Sequence, residues 1–339
     1  RRPKLRIQGR YHSPMSFFAI LFALLIEQIR PVGRGNLIHG VVRRWVAVAT
    51  RNFDTGSRSH GWFVMALAVG GPTAVAAGVH WLLLAAIGWP AAMLWTTVLL
   101  YYTLGFRHFS HHFTGLRDAL LSGDEGLARQ LLARWQRVDV SQLPRNEIVR
   151  HVIRYSVLAA HRHVFGVLAC YACLALLGFG PAGAVLYRVA EFAPRYWKHR
   201  ARQAGQAVSD GLRTAAAQFW HVLDWLPARF TALGFAVVGS FEDAIDAWRA
   251  HSAAEPQDTD GLIIAATSGA LGIALAGQPL APLTETGPFD MSRLAATVPD
   301  RALREPVTEH LAQVVGLVWR TVVMWMVLLG ILTLGSLLG

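Results

Sequence analysis

Two ionisable residues stand inside an apolar stretch, Asp224 and Arg229 within residues 219–238. A charge surrounded by apolar neighbours is costly unless it is paired, so such a residue is a candidate for function. The competing reading is an interfacial ion pair beside a helix that Pro227 opens. A second set is Arg150, Arg154 and Arg162, with Arg107 and Arg117 nearby in sequence. Guanidinium forks match phosphate oxygens two at a time, which suits a phosphate-bearing substrate. The same arginines equally serve as the positive charges that keep a loop on the cytoplasmic side of a membrane. His108, His111 and His112 follow the i, i+3, i+4 spacing of one helix face, and His161 and His163 add two more imidazoles. No carboxylate completes a ligand set with them, so no metal is expected, and a membrane-surface cluster is the simpler reading. Cys170 and Cys173 form a C-x-x-C pair without a second pair, which reads as two small thiols in an apolar helix. Walker, G-x-S-x-G and HExxH patterns are missing.

The elements that would position these groups are apolar helices. The chain has 339 residues, 53% hydrophobic and only 16% charged, with a mean hydropathy of +0.35. A soluble domain carries about 25% charged residues. The net charge of +11 sits in loops flanking apolar runs, which argues for membrane orientation and against nucleic-acid binding. Residues 62–87 and 89–106 predict a transmembrane hairpin turning at Gly88, Trp89 and Pro90, and residues 311–338 a last span. Residues 15–26 are too short to cross. Residues 27–61 hold an arginine-rich amphipathic helix suited to the membrane surface. Residues 107–163 predict a soluble insertion of two or three helices, with nine arginines against five acids and hence cytosolic. Asp258 and Asp260 beside Gly261 read as a helix cap.

Two apolar segments are expected to be broken: 164–192 by Gly178–Gly183, and 219–238 by Asp224, Pro227 and Arg229. Basic loops flank both ends of 164–192, so a re-entrant pair of half-helices fits the charge rule better than one crossing. Met15 opens a plausible N-terminus, and residues 1–14 are expected to be an upstream extension, with residues 15–339 forming one membrane domain.

Several pieces, in order, resemble the CobD/CbiB family of cobalamin-biosynthesis membrane proteins. They are Leu116–Leu132, Ser141-Gln142-Leu143 with Glu147-Ile148-Val149-Arg150, Gly180–Arg188, Asp224–Leu233 and Ser268–Ile273. The resemblance implies an all-α polytopic integral membrane protein of a bacterial inner membrane, with the cytosolic helical insertion described above. It implies adenosylcobinamide-phosphate synthase-like chemistry, amide ligation of adenosylcobyric acid to an aminopropanol phosphate, with a corrinoid substrate. ATP and magnesium would enter only with that chemistry. The candidate site residues are then Tyr187, Arg188, Glu191, Asp224 and Arg229, with Arg150, Arg154 and Arg162 toward the phosphate. The chain departs from the synthase pattern at three places. Leu158–His163 replaces a Glu-Asn-Thr-x-Asp-Gly stretch, Glu191 and Pro194 replace an Asn and an Asp, and Asp258–Ile264 replaces a Ser-Pro-Asn-x-Gly stretch. These departures keep a second expectation open: a non-catalytic AmpE-like regulator, whose partners are the lipid bilayer and other membrane proteins.

Overall fold

The computed structural model describes residues 4–29, 37–136, 140, 143–204, 208–276 and 303–338. Among them the secondary structure is helical: α1 Lys4–Ile29, α2 Leu37–Phe53, α3 Arg58–Ala86, α4 Trp89–Thr103, α5 Phe106–Leu121, α6 Glu125–Gln136, α7 Arg145–Ala160, α8 Gly166–Leu176, α9 Ala182–Ala204, α10 Asp210–Val238, α11 Phe241–Ala254, α12 Thr259–Leu271 and α13 Glu309–Leu338. A π-helical turn, His161–Phe165, joins α7 to α8 without a break. This is an all-α membrane protein. Three helical stretches are long and apolar enough to cross a bilayer: Arg58–Ala86, Arg145–Leu176 and Glu309–Gly335.

The helices divide into two compact units. The first comprises Arg1–Gly105, Gly166–Leu223 and Met326–Gly339, and the second Phe106–Phe165 and Asp224–Trp325. In the first unit α3 packs on α2, α4 and α9, α1 packs on α4 and α8, and α8 and α9 form a hairpin. Met65, Ala68, Val69, Val189, Ala193 and Trp197 lie in one of its core clusters. In the second unit α11 and α12 pair closely, α7 lies against α12, and α5 and α6 pack on α7.

The predicted hairpin forms around its expected turn. Ser57 caps α3, and Gly88 takes a φ of 111° that L side chains rarely adopt, with a proline in the first turn of α4. However, α4 has only 15 residues, which gives about 22 Å at ~1.5 Å per residue, short of the ~30 Å hydrocarbon core. The predicted boundary at 163/164 falls inside a continuous helix. No proline interrupts residues 148–176, and aliphatic residues recur throughout them, so the helix continues through Gly166. The turn at Gly178–Gly183 is present: Gly178 and Gly180 both have positive φ, and α9 starts at Ala182. By contrast, 219–238 is not broken. It lies within α10, and Pro227 sits in the helix interior rather than in its first turn. A proline removes one ladder hydrogen bond at a cost of about 3 kcal/mol, which the surrounding burial of Ala228, Ala232, Phe235 and Ala236 outweighs.

Candidate functional site

The second unit gathers most of the polar candidates around α7. Glu147, Arg150, His151, Arg154, His161 and Arg162 recur at steps of 3, 1, 3, 7 and 1, so they share one face of a helix that is otherwise apolar. From residues 148 to 160 every side chain is buried, Arg150, His151 and Arg154 included. Charged groups held inside protein need partners, and the helices opposite supply them.

At the centre is a hydrogen-bonded set with no solvent contact on its two ionisable members. His161 and Asp224 are both 0% exposed. The His161 Nε2 lies 2.9 Å from Asp224 Oδ1, and its Nδ1 lies 2.8 Å from Thr231 Oγ1. Thr259 donates its hydroxyl to Asp224 Oδ2 at 2.9 Å, and Thr231 Oγ1 is 3.0 Å from the Pro227 carbonyl. Three elements therefore meet at one carboxylate: the π turn, α10 and the start of α12, with the next turn of α10 reaching the far side of the imidazole through Thr231. Thr231 has one proton to give. When it goes to Pro227 O, both His161 nitrogens face acceptors, which is the arrangement of an imidazolium–carboxylate pair. When it goes to Nδ1, the ring is neutral. In both cases each polar atom of His161 and Asp224 is engaged.

Around this centre the arginines are neutralised internally. Arg162 pairs with Asp260. Arg150 pairs with Glu147 and, at 2.9 Å, with Glu305, and it donates to the Ala274 carbonyl at 2.9 Å. The segment that leads into α13 is thereby tied to α7, with Asn146 donating to Glu305 at 3.2 Å and Arg145 to Thr308 at 3.1 Å, and to the end of α12, with the Ala274 N–H donating to the Arg304 carbonyl at 2.9 Å and the Arg304 N–H to the Gly272 carbonyl at 3.2 Å. Arg154 is completely buried on the same face of α7.

The α12 start is built as the acidic cap expected from the sequence. Asp258 is the N-cap and its Oδ1 accepts from the Gly261 N–H at 3.0 Å. Burial pushes the Asp258 carboxyl up, but hydrogen bonds from His251 and the Gly261 N–H outweigh it and hold the group below the usual carboxylate range. Asp260 goes the other way: burial raises it, and Arg162 only partly pulls it back. His251 of α11 is fully buried with Nε2 3.5 Å from Asp258 Oδ2, and its ring fills the space a side chain at Gly261 would need.

The other candidates do not join this centre. Arg229 does not pair with Asp224: its guanidinium stacks 3.9 Å over the Trp225 ring and donates to the Trp225 carbonyl. The expected interfacial pair is thus replaced by two separate arrangements, because residues five apart on a helix point to different faces. Tyr187, Arg188 and Glu191 belong to the first unit. Tyr187 is a core residue, 5.2 Å from the Trp220 ring and pressed against Gly166. Arg188 and Arg195 both pair with Glu191 along α9. Cys170 and Cys173 carry no disulfide. The side chains of Arg107, His108, His111 and His112 lie outside the described residues. Among the described residues no group of three metal-ligating side chains is assembled.

The sequence singles out Asp224, three of the arginines and, as one of several histidines, His161; it does not single out Thr231, which bonds the His161 ring, Thr259, which bonds Asp224, or His251. The signal is present in the polar stripe of α7, whose 3.6-residue recurrence inside an apolar run has a buried polar partner as its natural cause.

The polar centre coincides with the motif positions. His161 and Arg162 lie in one departure from the synthase pattern, Asp258, Thr259 and Asp260 in another, and Asp224 and Thr231 in a retained piece. The CobD/Cbib protein family profile matches residues 17–284, more than half of the chain. A cobalamin biosynthesis protein CobD from Stutzerimonas stutzeri is 28% identical over 321 residues, covering 92% of this chain and 96% of that protein. A cobalamin biosynthesis protein CobD from Chromobacterium violaceum is 31% identical over 179 residues, covering 53% of this chain and 54% of that one. No solved structure matches. With its helical build, its apolar spans and this match, the chain belongs to the CobD/CbiB family of cobalamin-biosynthesis membrane proteins.

Proposed function

We propose that this protein serves late cobalamin assembly as a multi-pass inner-membrane scaffold, with its polar centre working as a structural clasp rather than as the site of a self-sufficient amide-forming synthase. One observation carries the reading. His161 and Asp224 are wholly buried and engaged at every polar atom, and Arg150 and Arg162 are neutralised by carboxylates of the same unit. Amide ligation needs an acid/base group within reach of substrate and cations available to phosphate oxygens. A saturated, dry centre supplies rigidity more readily than proton transfer.

The synthase reading has its own support in the near full-length match to a protein named for cobalamin biosynthesis, and in Glu305, whose side chain is 64% exposed and so displaceable from Arg150 by a substrate phosphate. Complementation separates the two. In a strain lacking the authentic synthase, the well-expressed protein is expected not to restore growth without supplied cobinamide; growth would establish the enzyme and overturn the scaffold. Deletion in the native host is expected to lower corrinoid yield. An unchanged yield would remove the link to cobalamin and leave an AmpE-like regulatory role as the surviving account.

A further inference from the structure

The protein's net charge is carried entirely by the first unit. That unit has seventeen Lys/Arg against four Asp/Glu, whereas the second has fifteen against seventeen. The four acids are Glu27, Asp54, Glu191 and Asp210. Three of them are committed: Glu191 to Arg188 and Arg195, Asp210 to Arg213, and Asp54 to the Ser209 N–H.

Within the unit, α2 and α9 concentrate the remaining charge. One face of α2 is buried through Val46 and Ala49 in the same core cluster as Val189, Ala193 and Trp197 of α9. The Trp197 indole donates to Thr50 Oγ1 at 2.7 Å and fixes the two helices together. The opposite face of α2 exposes Val41, Arg44, Trp45, Val48 and Arg51, with Arg43 on its flank. On α9, Lys198 and His199 are exposed beyond Trp197. A helix face that mixes arginines with exposed valines and a tryptophan suits neither water nor hydrocarbon alone. It suits the headgroup layer, where arginine meets phosphate while the valines enter the acyl boundary and the half-exposed Trp45, whose indole donates to the Leu67 carbonyl of α3 at 3.2 Å, lines the edge.

We propose that the exposed face of α2, with Lys198 and His199 of α9, is a docking surface for the anionic phospholipid headgroups of the bilayer. The occupant is identified by charge: a cationic face with no uncommitted acid beside it on α2 or the adjacent part of α9, edged by aromatic and branched side chains. Each Lys or Arg near a negative leaflet contributes about a factor of 5 to binding, so removing three is expected to weaken retention on the order of a hundredfold at low salt.

The test is carried out on the full-length protein purified in detergent. Wild type and an Arg43→Gln/Arg44→Gln/Arg51→Gln variant are offered phosphatidylglycerol or phosphatidylcholine, and bound lipid is counted by native mass spectrometry. Wild type is expected to retain phosphatidylglycerol preferentially, with the preference falling as salt rises. The glutamine variant should lose that preference, and the charge-conserving Arg43→Lys/Arg44→Lys/Arg51→Lys variant should keep it. An Arg117→Gln/Arg134→Gln variant, altered in the second unit, should behave as wild type. Equal retention of the two lipids by wild type overturns the proposal, as does a folded glutamine variant that keeps the preference. A preference lost equally in the Arg117→Gln/Arg134→Gln variant also overturns it, because bulk charge would then explain the effect. If the glutamine variant does not fold, the wild-type lipid preference and the lysine variant still decide the matter.

Discussion

Replacing Asp224 by alanine should destabilise the protein severely, and replacing His161 at the same time should repair most of the damage. Asp224→Ala leaves two buried donors without an acceptor, the His161 Nε2–H and the Thr259 hydroxyl, each at 2.9 Å in the native protein. An unsatisfied buried donor costs about 1–3 kcal/mol, and removing one partner of a buried charged pair about 3–5 kcal/mol. Ordinary interhelical hydrogen bonds in membrane proteins average only about 0.6 kcal/mol, so two neutral bonds would account for about 1.2 kcal/mol. The distinction is useful: a loss of about 3 kcal/mol or more marks an ionic, fully desolvated pair, and a loss near 1 kcal/mol a pair of commonplace bonds. The cycle is closed with leucine, Asp224→Leu and His161→Leu singly and together; the double change removes the stranded imidazole, while the Thr259 hydroxyl stays without its acceptor. The double change is therefore expected to cost less than the sum of the single ones by about 2 kcal/mol. Unfolding in mixed micelles, followed by circular dichroism as denaturing detergent is titrated, measures all four corners of the cycle. Additive single effects would refute the reasoning, and so would an Asp224→Ala protein as stable as wild type. Wild-type stability with lost biological activity would instead indicate that the pair exists for chemistry, and the scaffold reading would fall with it.

Other substitutions probe single links. Gly166→Ala places a methyl group inside the Tyr187 ring and Gly183→Ala places one against the Cys170 carbonyl, so each should overpack the α8–α9 hairpin by about 1–3 kcal/mol, read as a lowered melting temperature. Asp258→Ala removes the α12 cap and should cost about 1 kcal/mol, whereas Asp258→Asn keeps a capping oxygen and should cost less in the same thermal assay. The Asp258 carboxyl is held below its ordinary value, so its stabilisation is complete above the ordinary carboxylate range and is lost as pH falls through the lower folded value. Asp258→Asn should therefore flatten the acid limb of a stability–pH curve, and an unchanged limb would count against that origin. Arg229→Gln loses one partly exposed stack on Trp225, so the melt should move by less than about 1 kcal/mol, well short of Asp224→Ala.

The helices and their main turns were legible because their signals are local. Gly88 before a proline, the glycine-rich turn before Ala182 and the acidic cap at Asp258 each satisfy a backbone requirement within a few residues. Segments that read differently in the sequence depend on distant partners. Asp224 looks out of place in an apolar helix when read along the chain, yet α10 holds it because His161, 63 residues away, and Thr259, 35 residues away, satisfy the carboxylate. The arginines of this stretch suggest a soluble insertion, but Arg150 of α7 pairs with Glu147 and Glu305, and Arg162 of the π turn pairs with Asp260 from the start of α12. Net charge counted along a segment could not reveal that pairing.

The departures from the synthase pattern acquire a different meaning once the partners are known. Read one at a time, the loss of carboxylates near 158–160 suggests a site stripped of its chemistry. In the folded protein the same neighbourhood holds an imidazole at 161 and a guanidinium at 162, and each faces a carboxylate from another helix, Asp224 and Asp260. Neither half is stable without the other: His161 against an apolar residue at 224 would bury unshared donors, and Asp260 without Arg162 would bury a carboxyl whose ionisation burial already opposes. The polar groups of this neighbourhood are therefore shared between facing helices, each buried charge set against one of opposite sign. A site that presents carboxylates to a substrate must leave some of their oxygens unengaged. This one commits both Asp224 oxygens to its own scaffold, and the proposed role as a clasp rests on that use of them more than on the identity of any one residue.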